Sequence, residues 1–317
     1  MSAVEGTRDL AIDRFRGVAV LAMAAADYIG GLNAAPAFLK HAPDIGLTAA
    51  DVVAPCFLFA IGLTYGESFR RRREQNPLQA YLHFITRYFA LLGIGALLSA
   101  GGAAVAGVPS DWGVLQAIGV AGLICLLVIR FRPGVRIAVG LALLCAYQIA
   151  LDRWLLAAVL GSSHGGFYGA VSWGAMLILA SAAADLRRAG RKTCICSLLL
   201  LAALSAASAF LTPVSKNRVS ASYVLLTLAI ACAAYLLIDV GSKKLRLQAG
   251  LLCRVGENPL SLYLLHLLLL GFFALPDAPL WYLDAPVWLA ALQLCALLSA
   301  LLFAAWLMHR KKLVIKL

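Results

Sequence analysis

Residues 40–62 read KHAPDIGLTAADVVAPCFLFAIG, with His41, Asp44 and Asp51 set at the mouth of an apolar run. An imidazole can take a proton from an attacking hydroxyl or amine near neutral pH and return it later, so His41 is the first candidate for chemistry. A carboxylate beside an imidazole fixes its tautomer and raises its basicity, and Asp51 and Asp27 (AMAAADYIGG) are the carboxylates available. Asp51 has a second reading. With Thr48 it resembles a capping box using the shorter acid, and a carboxylate in a first helical turn also favours the positive end of the macrodipole. Cap and catalytic partner both stand at this point. Pro55 follows a turn later; inside a helix it frees a backbone carbonyl, which neighbouring groups must satisfy.

Further polar residues sit where an apolar chain needs a reason for them. His266 (NPLSLYLLHLLLL) is either a satisfied core group or a pocket residue, and Asn258 (GENPLSLYLLH) follows a turn and could cap or bond a ligand. Asp13, Arg14 and Arg16 (IDRFRG) read either as anchoring charges or as a site for an anionic cofactor such as the phosphates of coenzyme A, which arginine holds bidentately. Lys216, Asn217 and Arg218 (PVSKNRVSASY) form a basic, polar turn, and a role in binding an acidic or polar group is the natural one. Asn217 and Asn258 are also the candidates to donate to a developing oxyanion. His83, His164 and His309 read as bland helix-end or loop residues.

These groups must be positioned by helices in a membrane. Of 317 residues, 62% are hydrophobic and 13% charged, whereas soluble domains run at about 45–50% and about 25%. Apolar runs fall near 16–33, 48–69, 84–106, 113–130, 135–152, 167–185, 194–212, 221–240, 258–275 and 286–308, each close to the ~20 residues a span needs. The fold class is all-α, a polytopic transmembrane helical bundle of about ten spans in a single domain, 1–317. Basic residues cluster in alternate connections: Arg8 to Arg16, Arg70 to Arg73, Arg130 to Arg136, Arg187 to Lys192, Lys243 to Arg254 and Arg310 to Lys316. The connections 34–47, 107–112, 153–166, 213–220 and 276–285 are poor in them. The positive-inside rule then puts both termini in the cytoplasm and His41 on the outer face. Lys216, Asn217 and Arg218 are the local exception to that rule.

The net charge of +12 is explained by the same asymmetry, and with no basic–aromatic domain outside the spans nucleic-acid binding is not expected. The run after Arg16 lacks a small-residue cleavage pattern and reads as a retained first helix. The eight cysteines sit mostly inside apolar runs, which indicates neither a disulfide framework nor a metal site.

The order IDRFRGVAVLAMAAADYIGG, KHAPDIGLTAADVVAPCFLFAIG, WGVLQAIGV, LTPVSKNRVSASYVL and VGENPLSLYLLH resembles the bacterial relatives of heparan-α-glucosaminide N-acetyltransferase. The resemblance implies a membrane acyltransferase that passes acetyl from cytosolic acetyl-CoA to a sugar amine or hydroxyl on the far side of the membrane. His41 matches the catalytic histidine before G-L-T, Asp51 the aspartate after it, and Lys216 and Asn217 the K-N pair. Asp27 falls where the family has an asparagine before tyrosine. Partners implied by the resemblance are acyl-CoA and a sugar or glycan acceptor; the architecture adds the lipid bilayer, with a bacterial inner membrane expected, and a homodimer is a separate expectation. The chain departs from the family pattern at Pro43, Asp44 and Ile45, where an aromatic is usual, at Ala117, where an arginine is usual, and in a longer spacer between Asp27 and His41. The competing reading from the residues is a proton-coupled transporter or flippase using Asp27, Asp51 and His266, against which stands the lack of an inverted repeat.

Overall fold

The computed structural model describes residues 9–106, 112–276 and 278–315, with 102–106 and Arg191 described by backbone alone. Arg8, residues 107–111 and Lys316, which contribute to the charge pattern, lie outside the described residues. Among the described residues every regular element is helical. In chain order they are α1 (Leu10–Gly30), α2 (Ala49–Gln75), α3 (Pro77–Ala106), α4 (Val114–Val128), α5 (Pro133–Ala150) and α6 (Leu156–Leu160). There follow α7 (Gly166–Ala189), α8 (Arg191–Leu211), α9 (Ala221–Lys244), α10 (Leu251–Glu257), α11 (Pro259–Ala274) and α12 (Val287–Arg310). A π-helical stretch, Leu151–Leu155, joins α5 to α6.

All ten apolar runs are helical, but they do not all qualify as spans. Seven helical segments are long and apolar enough to cross a membrane, and α10 with α11 makes an eighth if that pair, bent by 95°, is one span. The two that fall short do so for different reasons. Helix α4 has 15 residues, and α1 carries Asp13, Arg14, Arg16 and Asp27 within its 21. Length and composition therefore give seven or eight spans, and the ten-span topology belongs to the proposal below.

The chain divides into two compact units: His41–Cys232, and a terminal unit of Met1–Lys40 with Ala233–Lys316. In the first, α7 is the central helix, packed on α2, α4 and α5. Small residues permit this. A Cβ on Gly62 of α2 would lie 2.5 Å from the Ala180 Cβ of α7, so the backbones meet at a distance only glycine allows. Tyr65, Phe84 and Tyr88 stack between α2 and α3, and the Tyr65 hydroxyl donates to the Gly122 carbonyl of α4 at 2.9 Å. At one end of this unit Arg136, 1% exposed, donates to Ser181 Oγ at 2.8 Å and pairs with Asp185, which Arg70 and Arg188 also reach. At the other end, residues 41–48, 163–166 and 213–220 are joined by direct bonds and contacts. The basic-rich connections thus meet one another, and so do the basic-poor ones.

The terminal unit repeats the rule. Arg14 Nη2 donates to the carbonyls of Leu247 and Gln248, both at 2.7 Å, joining two basic-rich segments. Asn33 donates to the Leu283 carbonyl and to Asp284 Oδ1 at 2.7 and 2.9 Å, joining two basic-poor ones. Helix α1 lies directly against α10, with Gly17 facing the Leu252 backbone and Gly256 facing that of Asp13. Tyr28 Oη donates to Gln293 Oε1 at 2.6 Å, and Tyr282 Oη donates to the Tyr28 carbonyl at 2.8 Å.

Candidate active site

The site is built at the start of α2. Asp51 occupies the third position of that helix and is fully buried, which obliges its charge to find several donors. It finds four. His41 Nδ1 lies 2.8 Å from Oδ1, while Oδ2 accepts from Ala42 N at 3.2 Å, Thr48 N at 3.1 Å and Thr48 Oγ1 at 2.9 Å. Cap and histidine partner are therefore not alternatives: one oxygen closes the helix N-terminus and the other holds the imidazole. Because a carboxylate accepts, the neutral form of His41 carries its proton on Nδ1 and its lone pair on Nε2. The His41 side chain is 43% exposed, so that lone pair can meet a ligand.

Pro55 shapes the same place from below. It has no N–H for the carbonyl four residues earlier, which is that of Asp51. Tyr223 Oη, fully buried on α9, donates to that carbonyl at 2.8 Å. The tyrosine hydroxyl thus replaces the bond that Pro55 cannot make in the first turn of α2, next to the carboxylate.

The turn at 213–220 closes over this turn of helix. Lys216, 7% exposed, places Nζ 3.9 Å from Asp51 Oδ1, close enough for charge to be felt. Asn217 Nδ2 donates to the Pro43 carbonyl at 2.6 Å, and Gly46 N donates to the Val214 carbonyl at 2.8 Å. Asp44 takes Ser215 Oγ at 2.8 Å and Arg218 Nε at 2.9 and 3.0 Å to its two oxygens, with Arg218 Nη2 as a further donor. The Arg218 guanidinium above all, with the Ser215 hydroxyl, holds the Asp44 carboxyl below the usual carboxylate range. The acidic group expected opposite the basic turn is thus supplied from within the chain.

Of the residues singled out in the sequence, His41, Asp51, Lys216 and Asn217 come together here. Asp27, His266, Asn258, Arg14 and Arg16 belong to the terminal unit. Within that unit Asp27 has His266 as its partner, with Nε2 2.9 Å from Oδ2; His266 is fully buried and its ring meets Tyr263 edge to face. Asn258 donates to the Leu313 carbonyl at 3.0 Å and accepts from Ile315 N at 2.8 Å, so both ends of its amide hold the C-terminal segment. Its side chain makes no cap bond to α11, contrary to one expectation, because the amide is already committed. Arg14 is committed to the two carbonyls given above, and Arg16 Nη1 lies 3.6 Å from Asp13. Ser215 and Tyr223, whose roles depend on pairing across long separations, carry no signal in the sequence, and His164 reads there as a bland loop residue.

The dyad sits inside a recognisable stretch of sequence. Residues 8–169, just over half of the chain, match the family model described as heparan-alpha-glucosaminide N-acetyltransferase, catalytic. The chain belongs to that family. No curated protein matches the sequence. The N-acetyltransferase match covers His41, Asp51, Asp27, Arg14 and Arg16, while Lys216, Asn217, Asn258 and His266 lie beyond it. Membership makes the protein a membrane acetyltransferase in class, and its apolar helices are those of an integral membrane protein.

Proposed function

We propose that the protein moves an acetyl group from acetyl-CoA, supplied on the cytoplasmic side of a bacterial inner membrane, to a sugar amine or hydroxyl at the outer face. The observation that carries this reading is the Asp51–His41 pair at 2.8 Å, with the His41 side chain partly exposed. Asp51 fixes the tautomer. His41 Nε2 takes the proton of the attacking amine or hydroxyl as the new bond to the acetyl carbon forms, and the coenzyme A thiolate leaves and collects a proton. An acetyl-His41 intermediate is the two-step version of the same transfer, with Nε2 as nucleophile. Lys216, with Nζ 3.9 Å from Asp51 Oδ1, serves both versions as the cation beside the dyad that stabilises the oxyanion forming on the acetyl carbonyl.

The alternation of basic-rich and basic-poor ends supports a topology of about ten spans with cytoplasmic termini. For the donor's phosphates, Arg14 and Arg16 keep the right charge, but Arg14 Nη2 already serves two carbonyls. The test is loss of thioester from acetyl-CoA by the purified protein with a panel of amino sugars and neutral sugars, wild type against His41→Ala. The proposal expects turnover that depends on the acceptor and is lost in the variant. Flux of a solute into proteoliposomes with no thioester consumed would establish the transporter reading instead.

A further inference from the structure

His164 lies in the run GSSHGGF and has no chemistry assigned to it so far. It is one of four described non-glycine residues with positive φ, at 53°, and it is followed by Gly165 and Gly166 at 79° and 61°. Three consecutive positive φ angles at the entrance to α7 suit the two glycines, which tolerate them, and not the histidine. Backbone held in such a region is a reason to look for a function at that place.

The surroundings give one. Gly165 approaches the 213–220 turn so closely that a Cβ there would lie 2.7 Å from Val219 Cγ2 and 3.5 Å from the Asn217 carbonyl oxygen. Val219 is itself strained, a β-branched residue at φ 48°, and its carbonyl accepts from Ser172 Oγ at 2.7 Å. On the other side Trp173 Nε1 donates to the His164 carbonyl at 3.1 Å. Two strained turns are thus pinned against each other beside Lys216 and Asn217. The 163–166 run lies against the turn that carries Lys216 and Asn217, and Asn217 is itself bonded to the Pro43 carbonyl, two residues from His41. The His164 Nδ1 is shielded from solvent and has no hydrogen-bond partner in the protein. A buried polar atom in that condition lacks a group that the bound state can supply.

We infer that His164 is the second imidazole of the His41 site and that its Nδ1 binds the acceptor through a hydrogen bond to an amine or hydroxyl. The acceptor is favoured over the donor because residues 41–48, 163–166 and 213–220 all belong to basic-poor connections, the face from which the acceptor arrives. This rests on the acetyltransferase reading.

The test uses full-length protein in neutral detergent and the panel sugar that wild type acetylates fastest. His164→Gly keeps the left-handed backbone and deletes the ring; His164→Asn keeps the backbone and returns a polar atom near the place of Nδ1. The expected result is an acceptor KM raised about tenfold in H164G, an acetyl-CoA KM within about twofold of wild type, and most of the loss recovered in H164N. An unchanged acceptor KM, a change confined to the acetyl-CoA KM, or H164N no better than H164G at equal Tm would overturn it. Should H164G not fold, the ¹⁵N resonance of the His164 ring, assigned with H164N, is titrated with glucosamine in the absence of donor. A saturable shift supports acceptor binding, and none overturns it. That titration needs no turnover, so wild type without acetyl transfer would defeat the acetyltransferase reading while leaving His164 to be judged separately.

Discussion

Replacing Asp51 by asparagine changes one atom of a fully buried side chain and should separate its two jobs. The carboxylate accepts from three donors on Oδ2 and from His41 on Oδ1. The amide oxygen will keep the side with three donors, which turns the amide nitrogen, itself a donor, toward His41 Nδ1. The imidazole must then give up the Nδ1 proton and carry it on Nε2, where the lone pair is needed. Wrong-tautomer histidines of this kind cost about 10⁴ in kcat, and loss of a general base about 10²–10⁴, so a fall of about 10³-fold, ~4 kcal/mol, is expected. The helix keeps most of its cap, so stability should fall by only about 1–2 kcal/mol for the lost charge-assisted bond. The assay is steady-state thiol release from acetyl-CoA, alongside Tm in the same detergent. Because the pair acts as a unit, D51N combined with His41→Gln should be no slower than H41Q alone. A D51N enzyme retaining a tenth or more of wild-type kcat, or two defects that multiply, would refute this reasoning.

Two further outcomes follow from the same neighbourhood. Tyr223→Phe removes the hydroxyl that donates to the Asp51 carbonyl that Pro55 frees, and should cost about 1–3 kcal/mol of stability by Tm or denaturant titration; in a Pro55→Ala background, where the missing N–H returns, that cost should largely vanish. Asp44 has its carboxyl lowered by Arg218, so the pair contributes stability fully above the unfolded pKa of about 3.9 and loses it as pH falls through the lower folded value. Both side chains are partly exposed, so the effect is under about 1 kcal/mol; Tm measured from pH 6 toward pH 3 should fall more for wild type than for Asp44→Asn.

The helices and their charged ends were legible from composition and spacing, because hydropathy acts on runs of residues and the positive-inside rule on whole connections. His41 with Asp51 was also legible, since ten residues and a helix start bring them together locally. What hydropathy could not give is the choice of partners across the chain. Asp27 pairs with His266 and Asp44 with Arg218, separations of 239 and 174 residues, and nothing local distinguishes such a carboxylate from one facing a ligand. The span count differs because α4 has only 15 residues and because α1 carries charges that find partners inside the terminal unit, Arg14 at the Leu247 and Gln248 carbonyls and Asp27 at His266. Asn258 looked like a ligand donor because its turn was visible and the returning C-terminal segment was not. His164 was passed over although its signal was present: a histidine before two glycines marks a left-handed turn, and such turns carry strain where function needs it.

The central claim is acetyl transfer through the membrane with His41 as the base. It is tested most directly in oriented proteoliposomes, with acetyl-CoA on the side of the basic-rich ends and the amino sugar on the other. The account predicts acetylated sugar accumulating in the compartment that contains no coenzyme A, at a rate that H41Q abolishes. Product formed only when donor and acceptor share a compartment, or formed at an undiminished rate by H41Q, would contradict it.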